Sequence, residues 1–195
     1  METEQLHSAI RSRYATVAKQ PVGQFKYPVG RASAEHLQYR SDILGSIPAC
    51  VVDCFLGVGN PFSLGEPQPG WRVVDIGCGA GFDAQVAAHY VGPTGHVTAV
   101  DISPEMLALA KSGYKESPLA NITFVKGLAE SLGVEDAWAD LVISNGVLNL
   151  AACKTSAFTE IGRVLRPGGR LQAADLILVK RPPDDLRKDE YAWSN

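Results

Sequence analysis

From Trp71 onward short apolar runs alternate with stretches of helical periodicity, an order that predicts a parallel sheet covered by helices on both faces. Five strands are expected, at 72–76, 96–101, 122–126, 139–144 and 170–178, separated by helices near 82–91, 104–115, 128–132 and 155–165. Ser103 and Pro104 read as the cap and first turn of the second of these helices, which sends Met106 and Leu107 into the core. In LRPGGR, Gly168 and Gly169 are expected to take positive φ at the last helix-to-strand turn. Ahead of this domain, Leu6, Ile10, Tyr14 and Val17 recur at three- and four-residue spacing, the pattern of an amphipathic helix ending before Pro21. A second helix is expected around 33–44. A short buried apolar helix is expected in PACVVDCFLG, with Pro48 in its first turn and Gly57 as its C-terminal cap. The stretch GNPFSLGEPQPG reads as an ordered loop. The chain thus divides into a helical N-terminal extension over 1–70, a main domain over 71–180 and a charged tail over 181–195, the tail being most simply a solvated surface.

The 195 residues, 46% hydrophobic and 20% charged, suit one soluble domain with a full core rather than a disordered chain. A formal net charge of −3 with no basic block argues against nucleic acid as a partner, and no run is apolar enough to span a membrane. The start METEQLHSAI lacks the features of a signal peptide, so a cytoplasmic protein is expected. Cys50, Cys54, Cys78 and Cys153 form neither a disulfide framework nor a zinc-spaced set, and no metal site is expected. Cys50 and Cys54 lie one helical turn apart and read as two buried apolar thiols, with a joint soft-metal site as the rival reading; Cys153 is expected to be structural. His7, His36, His89 and His96 share no spacing with a carboxylate or cysteine and receive no role.

The chemistry concentrates in VVDIGCGAGFD at 73–83, an apolar strand that runs into a glycine-rich turn and then a helix. Gly77, Gly79 and Gly81 let the backbone pass close to a ligand, and the helix that follows offers unpaired N–H groups. Asp75 precedes the first glycine. Asp101 closes the second expected strand 20 residues after the last one, where a carboxylate can accept both hydroxyls of a ribose, so loop and acid together bracket an adenosine. Cys78 sits inside the loop, where the turn demands only a small side chain.

On these residues the chain resembles the class I S-adenosylmethionine-dependent methyltransferases over 71 to about 180, through DIGCGAG at 75–81, VDIS at 100–103, KGLAESL at 126–132, ADLVISNGVLNL at 139–150 and LRPGGRL at 165–171. The resemblance implies an α/β, Rossmann-like fold with strand order 3-2-1-4-5 and S-adenosylmethionine as cofactor. It places the Gly77 and Gly79 backbone against the methionine part, Asp101 on the ribose, Ile102 on the adenine, and Leu128 and Ala129 flanking the adenine. Asn145 and Gly146 fall beside the sulfonium. Asp75, Cys78, Gly81, Met106 and Gly127 complete the set grouped with the cofactor. Methyltransferases of this class usually add two antiparallel strands after the fifth, so the sheet is expected to be incomplete, from truncation, fragmentation or a stop read at a selenocysteine codon.

FLGVGNPFSLG, SNGVLNL and the Asp of AADLIL are further similar to the arsenite methyltransferase branch, whose cysteine thiolates hold arsenic. The corresponding positions here are Val58 and Gly146, and a third cysteine follows a segment similar to EYAWSN, where the sequence stops; the soft ligands trivalent arsenic needs are not in place. Methyl transfer is an in-line displacement governed by positioning and desolvation, so few catalytic side chains are required. Asn145, the Gly146 backbone and Asp175 are the expected catalytic positions, with Asn60 a further candidate contact. Tyr14 either closes over the cofactor from a lid helix or is a core tyrosine, and Asp175 either faces the site or pairs with a cation. The expected function is methyl transfer to a small-molecule acceptor. The alternatives are a quinone-precursor C-methyltransferase, a non-catalytic S-adenosylmethionine-binding protein and, against the GxGxG spacing, a nicotinamide dehydrogenase. The oligomeric state is open.

Overall fold

Five strands, β1 (Arg72–Ile76), β2 (His96–Asp101), β3 (Ile122–Lys126), β4 (Ala139–Asn145) and β5 (Leu165–Ala174), pair in parallel in the order β3-β2-β1-β4-β5. The computed structural model describes residues 3–21, 23–25 and 27–180; the charged tail at 181–195 lies outside them. The central strands are apolar at nearly every position because both faces of a parallel sheet are covered. Their two-residue period then sorts the side chains. Val73, Val97, Ala99, Leu141 and Ile143 enter one buried cluster, and Val74, Ile76, Val100 and Val142 enter the other.

The first face is covered by residues of α5 (Phe82–Val91) and α6 (Pro104–Lys115), and the second by Ile161 and Val164 of α7 (Lys154–Val164). α6 begins as the sequence predicts: the Ser103 hydroxyl accepts from the Met106 N–H at 3.3 Å, and Pro104 occupies the first turn. Ser103→Ala should therefore lower the unfolding free energy by about 1 kcal/mol in urea titration, with no change in sheet content.

The N-terminal residues share this core. α1 (Thr3–Lys19) buries Leu6, His7, Ile10 and Val17, and its Leu6 and Ile10 pack on Leu150. The helix expected over 33–44 is two helices, α2 (Gly30–His36) and α3 (Ser41–Ser46). Gln38 at φ +62° breaks them apart, and the break delivers Tyr39 into the core, edge-on to Phe55, Phe62 and Phe82. α4 (Ala49–Val52) is shorter than expected; Pro48 is its N-cap residue and Asp53, not Gly57, its C-cap. Val51 and Val52 are buried, but Cys50 is exposed and Cys54 half-buried, so the expected pair of buried thiols does not form. The loop after it contains a 3-10 turn, Pro61–Leu64, capped by Asn60, whose Oδ1 accepts from the Phe62 N–H at 3.0 Å.

Two further expectations are corrected. No helix forms over 128–132: Leu128 and Ser131 exchange N–H···O bonds of 3.1 and 3.0 Å across a tight turn, and Glu160 of α7 accepts from the Leu132 N–H at 2.8 Å. β5 starts at Leu165 and ends at Ala174 instead of spanning 170–178. Leu165 already pairs with Ala139, residues 166–169 bulge out with Gly168 at φ +81° and Gly169 not in the positive region, and pairing resumes at Leu141↔Arg170. Beyond Ala174 the Asp175 carboxylate accepts from the Asn149 and Leu176 N–H groups, and Leu176, Ile177, Leu178 and Val179 are exposed.

Candidate active site

The carboxyl ends of β1, β2, β3 and β4 open together on a cavity of about 120 Å³, at the point where the strand order reverses across β1. This is where open α/β sheets place their ligands. Its floor is the glycine loop. The Gly77 and Cys78 N–H groups both bond to the Val100 carbonyl, at 2.8 and 3.0 Å, which ties the loop to β2. Gly77 stands at φ +69°, and a methyl group there would lie 2.2 Å from Val147 Cγ2, so side chain and backbone both require glycine. A methyl group at Gly79 would meet nothing within 4 Å: the loop presents bare backbone to the cavity.

Asp101 sits at the edge of this floor. Its Oδ2 accepts from the Gly79 N–H and its Oδ1 from the Ser103 N–H, both at 2.8 Å, which fixes the carboxylate while leaving lone pairs toward the cavity it lines. Burial pushes its pKa up, and the N–H groups of Ser103, Gly79 and Ile102 oppose that. Ile102, Gly127, Leu128 and Ala129 continue the wall from the ends of β2 and β3.

The opposite end is built around Asn145. Its Oδ1 accepts from the Val58 and Gly59 N–H groups at 2.8 and 3.1 Å, and its Nδ2 donates to the Gly59 carbonyl at 2.8 Å and to Asp83 Oδ2 at 3.0 Å. The Tyr39 hydroxyl, 3.2 Å from the same Nδ2, donates to Asp83 Oδ1 at 2.7 Å. A methyl group at Gly57 would lie 2.3 Å from Asn145 Nδ2, so this close approach, rather than a helix cap, is what that glycine serves. Asn145 thus clasps the 57–59 loop instead of offering its amide to a ligand. One consequence is that Val58 faces Gly146: a Cβ built on Gly146 stands 3.5 and 3.7 Å from the two Val58 methyls. The two positions where the resemblance would put cysteines are thus neighbours, and neither carries a thiol.

Three carboxyl groups surround the loop. Asp75 is buried at the end of β1 and its Oδ2 has no partner; burial, then Asp83 and Asp101, push it well above the usual carboxylate range. Burial pushes Asp83 up to about 6 against the hydrogen bonds from Tyr39 and Asn145. Burial, with Asp101 and Asp75 adding to it, pushes the Cys78 thiol well up, so it stays protonated and is no nucleophile. The exposed Cys153 thiol is instead held below its ordinary value by the Ser156 hydroxyl, 3.1 Å away, and lies off the cavity.

Of the predicted residues, Tyr14, Gly77, Cys78, Gly79, Asp101, Ile102, Gly127, Leu128, Ala129, Asn145 and Gly146 line the cavity. Asp75, Asn60, Gly81, Met106 and Asp175 do not. Asp75 lies beneath the loop, Asn60 caps its turn, Gly81 precedes α5 with Phe124 and Ala110 against it, Met106 is core, and Asp175 caps Asn149. Phe55, Asp83, Glu130 and Val147 line the cavity without having been singled out, as do Cys54, expected as a buried apolar thiol, and His7, expected to have no role. A signal existed for His7, seven residues before Tyr14 and so on its helix face; its Nε2 is buried without a partner. Asp83 was legible only as the first-turn acid of α5.

A family model described as a methyltransferase domain matches residues 67–194. The chain belongs to this methyltransferase domain family. It is 41% identical, over 81% of its length, to an arsenite methyltransferase of Halobacterium salinarum, of which it covers 40%. It is 29% identical over 98% of its length to the arsenite methyltransferase of Mus musculus, covering 53% of that protein. Among solved structures, an arsenic(III) S-adenosylmethionine methyltransferase from Chlamydomonas reinhardtii superposes with a TM-score of 0.61 at 35% identity, covering 83% of this chain and 54% of that one. The chain spans about half or less of these relatives.

Family and fold imply S-adenosylmethionine as cofactor, and the residues present fit it. The glycine loop leaves open space above Gly79, and Asp101 faces the cavity with its carboxylate already oriented. Among the described residues no Lys or Arg lines the cavity, which suits a ligand bearing a cationic sulfur.

Proposed function

We propose that this methyltransferase domain binds S-adenosylmethionine and transfers its methyl group to a small-molecule acceptor. The observation that carries this reading is the paired N–H grip on Asp101 at the rim of the bare glycine loop. In this reading Asp101 accepts the ribose hydroxyls, the Gly77–Cys78–Gly79 backbone runs along the methionine part, and Ile102, Leu128 and Ala129 hold the adenine by apolar contact. Tyr14, His7 and Ile10 cover the cofactor from α1. When bound, the cofactor supplies an electrophilic methyl carbon on a sulfonium. Displacement there needs a dry, aligned approach, and Phe55, Leu56, Gly146 and Val147 form the apolar wall that would keep water out, with Val58 behind Gly146.

The acceptor follows from that wall. With valine and glycine in the two neighbouring positions a soft arsenic centre lacks the thiolate pair it would need, although Cys54 lines the cavity nearby. The reading is therefore an arsenite methyltransferase-like scaffold with a more apolar acceptor. Calorimetry of S-adenosylmethionine on the 195-residue chain should give micromolar binding, and labelled-methyl assays should favour quinol-type acceptors over arsenite. A folded chain that binds no S-adenosylmethionine would overturn the cofactor reading, and faster turnover of arsenite would overturn the acceptor reading.

A further inference from the structure

Asp83 stands in the cavity wall with Asn145 and Gly146 and is 7% exposed. Both its oxygens are held, one by the Tyr39 hydroxyl at 2.7 Å and one by Asn145 Nδ2 at 3.0 Å, so the carboxylate cannot swing away. Two other acidic residues, Asp101 and Glu130, line the same cavity, and among the described residues no Lys or Arg there offsets them. We propose that Asp83 is a specificity-determining residue that makes the cavity prefer the methyl donor S-adenosylmethionine over the product S-adenosylhomocysteine, and so assists product release. The proposal rests on the cofactor reading above.

The two compounds differ by one methyl group and by the unit positive charge on sulfur that leaves with it. A carboxylate fixed in a wall with little water attracts the first and gains nothing from the second. Tyr39 and Asn145 supply the fixing: each donates to Asp83, and together with the 57–59 loop they leave it no other arrangement. A side chain at this position with the same shape and no charge would discriminate less between donor and product.

The preference depends on pH in a direction that can be worked out. The groups facing Asp83 are Tyr39 from the α2–α3 connection, Asp75 on β1 and the neutral amide of Asn145 on β4; Asp75 in turn faces Asp101 and the Cys78 thiol. Tyr39 and Cys78 are pushed up by burial and stay protonated. Burial and the neighbouring Asp83 push Asp75, which has an unpartnered oxygen, well up, whereas the Tyr39 and Asn145 donors favour the charged form of Asp83, so Asp83 is the one of the pair that ionises first, as the pH passes about 6. Its value is raised from 3.8, so it is neutral below about 6 and charged above. Donor binding favours the charged form and must therefore expel protons, up to about half a proton per site near pH 6.

The test is calorimetry of both compounds on the full chain between about pH 5 and about pH 7, where the cofactor's α-amino group stays protonated. Two buffers of different ionisation heat count the protons. The ratio of donor to product affinity should rise by roughly tenfold over this range, with proton release on donor binding that exceeds release on product binding. Asp83→Asn should flatten the ratio at its low-pH value. Tyr39→Phe keeps the charge and removes a donor that lowers the Asp83 value, so the rise should move to higher pH; this variant carries the test should Asp83→Asn fail to fold. A flat ratio in the unmodified chain, an unaltered rise in Asp83→Asn, or an unmoved rise in Tyr39→Phe would overturn the proposal while leaving the cofactor reading intact. Binding of neither compound to the folded chain would overturn both.

Discussion

Asp101→Ala should weaken S-adenosylmethionine binding by a hundredfold or more. If Asp101 holds the ribose as proposed, two charge-assisted hydrogen bonds are lost, at about 1.5 to 3 kcal/mol each, and about 1.4 kcal/mol corresponds to a factor of ten. The same change strands the Gly79 and Ser103 N–H groups, whose acceptors at 2.8 Å are the two oxygens of this carboxylate, so the glycine loop loses its anchor to the start of α6 as well. Asp101→Asn separates the two effects. It keeps one oxygen for the loop and should retain most of the folding stability while still losing most of the affinity. Calorimetry alongside urea unfolding reads both quantities; an alanine variant that binds as tightly as the original would refute the ribose assignment.

Gly77→Ala should lower the unfolding free energy by about 2 to 5 kcal/mol. Part of this is backbone strain, about 1 to 2 kcal/mol for a side chain at φ +69°, and part is overpacking, about 1 to 3 kcal/mol, since the new methyl would fall 2.2 and 2.6 Å from the two Val147 methyls. The two parts come apart in a double-mutant cycle. With Val147→Ala already in place the two methyl overlaps are gone while the strain and a 2.9 Å approach to the Val147 Cβ remain, so Gly77→Ala should cost clearly less there. Equal cost in both backgrounds would mean that the valine had not been the obstacle.

The sheet could be read from the sequence nearly to the residue because its strands are signalled twice, by apolar runs that both faces demand and by the glycine or acid that ends them. β1, β2 and β3 have the predicted bounds for that reason. β5 does not: its start lies in LRPGG, whose residues look like a turn, and only pairing of Leu165 with Ala139 recruits them. The N-terminal half was harder. Periodicity alone runs α2 and α3 together, because nothing local shows that Tyr39 is needed by three phenylalanines and by an aspartate 44 residues away. The same distance hid half of the site. Gly77, Gly79 and Asp101 follow from local motif logic, and Ile102 and Asn145 from the resemblance. That Asn145 would turn its amide on the 57–59 loop depends on contacts across 86 residues. Cys54 and Phe55 reach the cavity by the same long-range packing.

The 57–59 loop is held by Asn145 through the Val58 N–H, the Gly59 N–H and the Gly59 carbonyl, all of them backbone groups. No atom of the Val58 side chain takes part in these bonds, yet that side chain faces Gly146, which lines the cavity. Descent with modification can therefore exchange the residue at 58 without unpicking the clasp that sets the loop in place. Kinship in the frame and a changed residue at 58 are then compatible within one lineage, since the bonds that hold the loop are blind to that side chain.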